Sequence, residues 1–329
     1  MLQTRTLQVV MGTPGVVDLL PHDRSGLLCK DGDYLRPTSL FLESIDRWTA
    51  AMLFDDKARG TDVGKDVEGL VLSKTSGMVS GIPVIERLVE IHFPYCHLNW
   101  FVKEGEMVSN MDRVLSIRGP SSSVLSCERI LLNFLGRLSG ISSHTMKWVK
   151  ESSGIAVACT RKTAWGVLDK WAVHVGGGLT HRLSKLDSPM IKENDLASFV
   201  PPVNDLELAV RMAVRSIDIV SNSSFAIIEV RNTGQALSAA IEWSDIQSRG
   251  NVSDRIVLLL DNMGPDKCRK AHESLLNSGL RENCILEGSG GIAKRDLKQW
   301  IGSGVDLIST SKVNMAAPIF DFSLIIGDL

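Results

Sequence analysis

Five basic side chains fall within 32 residues: Arg161, Lys162, His181, Arg182 and Lys192. The apolar run Ile155–Cys159 is short and β-branched enough for a buried strand, and it ends abruptly in Thr160-Arg161-Lys162. An amphipathic pattern (Trp165, Leu168, Trp171, Ala172) follows with a helical period, and Gly176 to Gly178 stop it. His181-Arg182 leaves that glycine loop, and a second short strand, Pro189-Met190-Ile191, runs into Lys192. Solvated surface is the ordinary fate of Lys and Arg. Here both strands stay apolar until the residue at which the charge appears. A cation at the end of a buried strand sits at a cavity mouth, where an anionic partner must offset its desolvation. The pattern points to a polyanion site.

Two acids complete the picture. Glu229 and Asp261 directly abut the apolar runs Phe225–Ile228 and Ile256–Leu260. On an otherwise basic rim they suit sugar hydroxyls or a Mg²⁺ that accompanies a pyrophosphate; capping of neighbouring helices is the plainer alternative. Gly288-Ser289-Gly290-Gly291, between a strand and a helix, lets backbone N–H groups reach a phosphate, although a tight βα turn reads the same way. The Gly176–Gly178 run lacks the spacing of a dinucleotide loop. His92 and His97 lack a third metal ligand nearby. Lys162 or Lys192 at a strand end also admits a Schiff-base lysine, which requires desolvation.

The elements that hold these residues alternate. Apolar runs recur at 155–159, 189–191, 225–228, 256–260, 284–286 and 305–308. Helical patterns fill 206–219, 235–246, 266–280 and 294–301. This rhythm implies a parallel sheet whose active site gathers at the carboxyl ends of its strands. Ser309-Thr310-Ser311 ends the last run. Upstream, residues 1–37 read as a peripheral extension and 39–53 as a helix. Residues 67–119 read as β-rich, short strands of a small sandwich or open barrel packed with helices, and a helix over 123–138 is interrupted at Gly140.

At 329 residues, with 44% hydrophobic and 22% charged residues, the chain can bury a sizeable core. A net charge of −2 argues against a general nucleic-acid binder, so the basic cluster meets a small anion. No apolar run is long enough for a membrane span, and no signal peptide is evident. Six scattered cysteines, several in apolar runs, read as reduced core thiols, so the expected compartment is the cytosol.

With these residues in hand, the chain resembles the quinolinate phosphoribosyltransferase (carboxylating nicotinate-nucleotide pyrophosphorylase) family over roughly residues 44–329. The resemblance rests on Cys127-Glu128-Arg129 with Asn133-Phe134-Leu135 and Leu138–Ile141, and on Thr160–Thr163. It extends through the GGG..HR segment, Ile191–Asn194, Glu229-Val230, Leu260–Met263, Glu287–Ile292, Gly304–Asp306, Pro318 and Asp321–Leu324. It implies an α/β protein of the type II phosphoribosyltransferase kind, with an N-terminal α/β sandwich over 38–152 and a C-terminal open α/β barrel over 153–317. Residues 318–329 would return to the first domain.

The implied reaction joins phosphoribosyl pyrophosphate to quinolinate with decarboxylation. Another heteroaromatic acid such as nicotinate, a Schiff-base lyase using Lys192, and an anion-binding protein without turnover are the alternatives. By resemblance, Arg161, Lys162, His181, Arg182 and Lys192, at strand ends that include Thr160, would hold the two carboxylates. Glu229 and Asp261 would meet the ribose and Mg²⁺, and Ser289, Gly290 and Gly291 the 5′-phosphate, beside Ser309, Thr310 and Ser311. Lys162, Lys192, Glu229 and Asp261 are the expected catalytic residues. Arg129 would reach the partner's site in a homodimer or higher oligomer. Ser311 and Met315 stand where the family usually reads Gly and His, and Asp195 where a His is common.

Overall fold

The computed structural model describes residues 20–192, 194–196, 205–217, 225–249 and 254–327. Glu193 and the expected helix end at 218–219 lie outside them. The N-terminal part contains α1 (Ser39–Asp56), β1 (Asp66–Ser73), β2 (Gly77–Met78), α2 (Ile82–His92), β3 (His97–Trp100), β4 (Met107–Val108), β5 (Arg113–Pro120) and α3 (Ser121–Glu151). Thr38 caps α1 by accepting the Phe41 N–H through its side chain. Helix α2 lies inside the stretch read as strands. Gly81 and Pro83 open it, and its apolar Ile82, Val84, Ile85, Leu88 and Val89 are buried on a helical period.

The C-terminal part continues with β6 (Ala156–Ala158), α4 (Val167–Val175), β7 (Met190–Ile191), α5 (Leu206–Arg215), β8 (Ile227–Val230) and α6 (Thr233–Ser248). Then come β9 (Ile256–Asp261), α7 (Gly264–Asn277), β10 (Cys284–Ser289), α8 (Leu297–Trp300), β11 (Leu307–Ser309), α9 (Lys312–Met315) and β12 (Phe322–Ile326). The region expected as one helix over 294–301 is a 3-10 turn followed by α8.

Two sheets organise the chain. Strands β12-β1-β5-β3 form an antiparallel sheet, so the chain's last strand pairs with β1. Strands β7-β8-β9-β10-β11-β6 form a parallel sheet that curls into an open barrel. The central strands β8, β9 and β10 are buried on both faces along most of their length, as parallel strands inside a barrel covered by helices are. Ala158, Ile227, Val257, Leu259, Ile285 and Leu307 pack together in the interior. Val157, Ile228, Leu258, Leu286 and Ile308 belong to the larger core shared with the helices.

Two expectations need correction. Helix α3 runs unbroken through Gly140, where a side chain would strike the Pro318 carbonyl; that glycine permits a close backbone approach and does not end the helix. The described part of the N-terminal extension is not peripheral. Leu20 packs on the barrel interior, and His22 and Leu28 are fully buried. Among the described residues, no helix is long and apolar enough to cross a membrane.

Candidate active site

Alternation along the barrel strands builds the site. An inward apolar residue is followed, two positions on, by an inward residue with chemistry. Ile285 precedes Glu287 and Ser289, Ile227 precedes Glu229, Val257 and Leu259 precede Asp261, and Leu307 precedes Ser309. The pairing registers set Glu229 and Glu287 both opposite Leu259, with Asp261 opposite Ser289.

A cavity of about 440 Å³ opens at these strand ends. Thr160, Arg161, Lys162, His181, Arg182, Lys192, Glu229, Asp261, Ser289 and Ser309 line it, together with Met190, Leu259 and Glu287. Ten of the residues singled out in the sequence therefore converge on one space. Gly290, Gly291, Thr310 and Ser311 stand beside it. Gly290 has φ +107° and packs against Asn262, so only glycine fits there. Thr310 Oγ1 donates to the Ile292 carbonyl at 3.2 Å and Lys312 Nζ to the Gly291 carbonyl at 3.0 Å, tying the two loops together. Arg129 does not line this cavity. It lines a second one with Leu132, Arg137, Trp165, Ile319 and Asp321.

Cations and carboxylates share the cavity lining. Arg161, Lys162 and Lys192 are exposed at the rim, whereas Arg182 is buried. Burial, then the nearby Arg161 charge, pull the Arg182 guanidinium below its ordinary value. Such a cation gains from an arriving anion. Its Nη1 donates to the Ser188 carbonyl at 2.9 Å, which aims the fork. Lys192 Nζ meets Glu229 Oε2 at 2.6 Å, and Arg231 lies within 4.0 Å of both Glu229 and Asp261. Lys192 is half-exposed and ion-paired, which is not the dry environment a Schiff-base lysine needs.

Glu287 and His22 were missed as site residues. Reading β10 as ending at residue 286 hid Glu287; the Ile285, Glu287, Ser289 alternation is the signal that would have found it. Burial by itself would push the Glu287 carboxyl up, but the two imidazoles beside it, His181 ahead of His22, hold it well below the carboxylate range. Burial pulls the His181 imidazole down, outweighing the Glu287 charge, which acts to raise it. The tautomer follows from geometry. His181 Nδ1 accepts the Arg182 backbone N–H at 2.8 Å, so Nε2 carries the proton and donates to Glu287 at 3.2 Å. His22, His181 and Glu287 lie close enough to hold a metal. With its proton on Nε2, however, His181 serves as a hydrogen-bond donor there.

Two partner segments fix the cationic loops from below. Lys170 Nζ donates to the Thr160 and Thr180 carbonyls at 3.2 and 2.6 Å. Buried Asn314 Nδ2 donates to the Lys162 carbonyl at 2.9 Å and to Asp169 at 3.1 Å.

Both parts of the chain are similar to known proteins. The family model for the N-terminal domain of quinolinate phosphoribosyl transferase matches residues 49–139, and that for its C-terminal domain matches residues 141–325. The probable carboxylating nicotinate-nucleotide pyrophosphorylase of Archaeoglobus fulgidus is 34% identical over 266 residues, 79% of this chain and 94% of that one. Its counterpart from Methanothermobacter thermautotrophicus is 35% identical over 277 residues, 82% of this chain and 91% of that one. The crystal structure of NadC from Streptococcus pyogenes superposes with a TM-score of 0.72 at 27% identity, covering 88% of this chain and 100% of that one. The chain belongs to the quinolinate phosphoribosyl transferase family.

Proposed function

We propose that the protein transfers the phosphoribosyl group of phosphoribosyl pyrophosphate to quinolinate and releases CO₂, forming nicotinate mononucleotide and pyrophosphate. The observation that carries this is the cavity's complement of charge: Arg161, Lys162, Arg182 and Lys192 line one space together with Glu229 and Asp261. A pyridine dicarboxylate and a ribosyl polyphosphate need about this complement of cations and hydroxyl acceptors. The names of the archaeal relatives, which specify a carboxylating pyrophosphorylase, support it.

The protein's part is positioning and electrostatics. Arg161, Lys162, Arg182 and Lys192 hold the carboxylates, and His181 orients Arg182 through its backbone. Glu229 and Asp261 accept from ribose hydroxyls and steady the cationic sugar carbon. The bond from C1 to pyrophosphate breaks with its electron pair leaving on oxygen, and the ring nitrogen supplies the pair for the new bond. Loss of the 2-carboxylate as CO₂ leaves a pair at ring C2 that takes a proton, next to the cationic wall.

Glu229 and Asp261 are hard oxygen donors at the cavity edge and fit a Mg²⁺ carried in with the pyrophosphate. Such an ion would neutralise charge on the leaving group. The Ser289–Gly291 loop, beside Ser309, Thr310 and Ser311, receives the 5′-phosphate, with Lys312 as an added cation. Arg129 is exposed beside the apolar Trp165, Ile319 and Phe322, which suits a homodimer in which it completes the partner's site. The six buried, unbridged cysteines suit the reducing cytosol, the compartment we assign.

The test is product identity. With phosphoribosyl pyrophosphate and Mg²⁺, quinolinate should yield nicotinate mononucleotide and nicotinate should not. Turnover of nicotinate with quinolinate inert would overturn the assignment.

A further inference from the structure

The N-terminal segment enters the barrel at its open seam. Strands β6 and β7 are the two edges of the parallel sheet, and they are not paired with each other. Leu179 extends the β6 edge by a single parallel bridge to Ala158. Residues 20–24 run alongside the chain that follows it. The Arg24 N–H donates to Thr180 Oγ1 at 2.8 Å, and Thr180 Oγ1 donates to the His22 carbonyl at 3.3 Å. Arg24 also grips Asp187 through Nε and Nη2 at 3.0 and 2.8 Å. Leu20 packs against the apolar floor of the barrel. His22 is thus held from both sides.

His22 is fully buried, and its ring lies 5.0 Å from those of both His181 and Phe225. Its Nε2 meets Glu287 Oε2 at 3.1 Å. Glu287 receives His181 Nε2–H in turn, and His181 Nδ1 receives the Arg182 N–H. A continuous path of hydrogen bonds therefore leads from His22 to the backbone of Arg182. Both family models begin downstream of His22, at residues 49 and 141.

We propose that His22 is a positioning residue for the dicarboxylate end of the active site: by donating to Glu287 it fixes the carboxylate that orients His181 and, through it, Arg182. The inference rests on the function proposed above and assigns the N-terminal segment a part in it. Because the path ends at Arg182, the effect falls on the acid substrate. The phosphoribosyl donor, held at Glu229, Asp261 and the glycine loop, is spared.

The full-length protein tests this with His22→Leu, His22→Gln and Arg24→Ala, each checked for folding by thermal melting. Leucine fills the space without a donor, and KM for quinolinate should rise about tenfold, the loss expected for a hydrogen bond to a buried carboxylate. KM for phosphoribosyl pyrophosphate should stay within about twofold. Glutamine, whose Nε2 reaches a similar point, should bring quinolinate KM back to within about threefold of wild type. Arg24→Ala frees the segment without entering the barrel, and it should show the same split in weaker form. If His22→Leu cannot be purified folded, Arg24→Ala and His22→Gln decide. Equal rises in both KM values, no rise in either, or a glutamine variant no better than leucine would overturn the role. A wild-type protein inert toward quinolinate would instead remove the proposed function, and this inference with it.

Discussion

Lys170 has almost no solvent exposure, yet among the described residues no carboxylate pairs with it. Its ammonium reaches the Cys159 sulfur at 3.6 Å and the carbonyls of Thr160 and Thr180. Burial pushes the Cys159 thiol up despite the lysine's charge, so carbonyl dipoles supply the compensation. Those two carbonyls immediately precede Arg161-Lys162 and His181-Arg182. One buried side chain therefore sets the spacing of two cationic loops. Lys170→Met keeps the length and removes the donors. We expect kcat/KM to fall about 10²-fold, the scale of an ångström's misplacement, and wild-type kcat/KM in a folded variant would show that other contacts hold the loops. The cations themselves were legible because Arg161-Lys162 and Lys192 end apolar runs and His181-Arg182 leaves a glycine loop. Their supports were not: Lys170 sits in an amphipathic pattern that places it by default on a wet face, and His22 meets Glu287 across 265 positions.

Helix α3 shows the same limit in a longer element. Its apolar stripe was readable from Val124 to Leu135, but Gly140 read as an interruption and the part played by Gly136 beside it was not legible. One turn apart, they face the backbone of residues 318–320, and the Phe320 N–H donates to the Gly136 carbonyl at 2.9 Å. Two effects compete in Gly140→Ala. Helix propensity favours alanine by about 1 kcal/mol, whereas overpacking costs roughly 1–3 kcal/mol. The obstacle is the Pro318 carbonyl, a backbone atom that cannot rotate away, so the clash should prevail. Urea unfolding should show a lower midpoint for this variant; an unchanged or higher midpoint would mean that the returning segment gives way freely. Strand ends were misplaced for a related reason. Runs such as Cys284–Leu286 were closed where hydrophobicity stopped, while β10 continues through the inward Glu287 to Ser289.

At the scale of the whole molecule, the chain's ends secure what its middle builds. Strand β12 returns to pair with β1, and the N-terminal segment closes the barrel seam. The alternation of strands and helices made the parallel barrel legible, and the family resemblance implied the first domain and the returning end. Neither disclosed the path of residues 20–37, which lack periodicity because they follow another element's surface. On the proposed function, one cavity carries out both glycosyl transfer and decarboxylation. The most direct measurement follows ¹⁴CO₂ from quinolinate labelled in its 2-carboxylate, alongside pyrophosphate, under single-substrate-limiting conditions. Equal amounts of CO₂ and pyrophosphate are expected throughout the time course, with no CO₂ when phosphoribosyl pyrophosphate is withheld. Pyrophosphate release without matching CO₂, or CO₂ release without the donor, would contradict it.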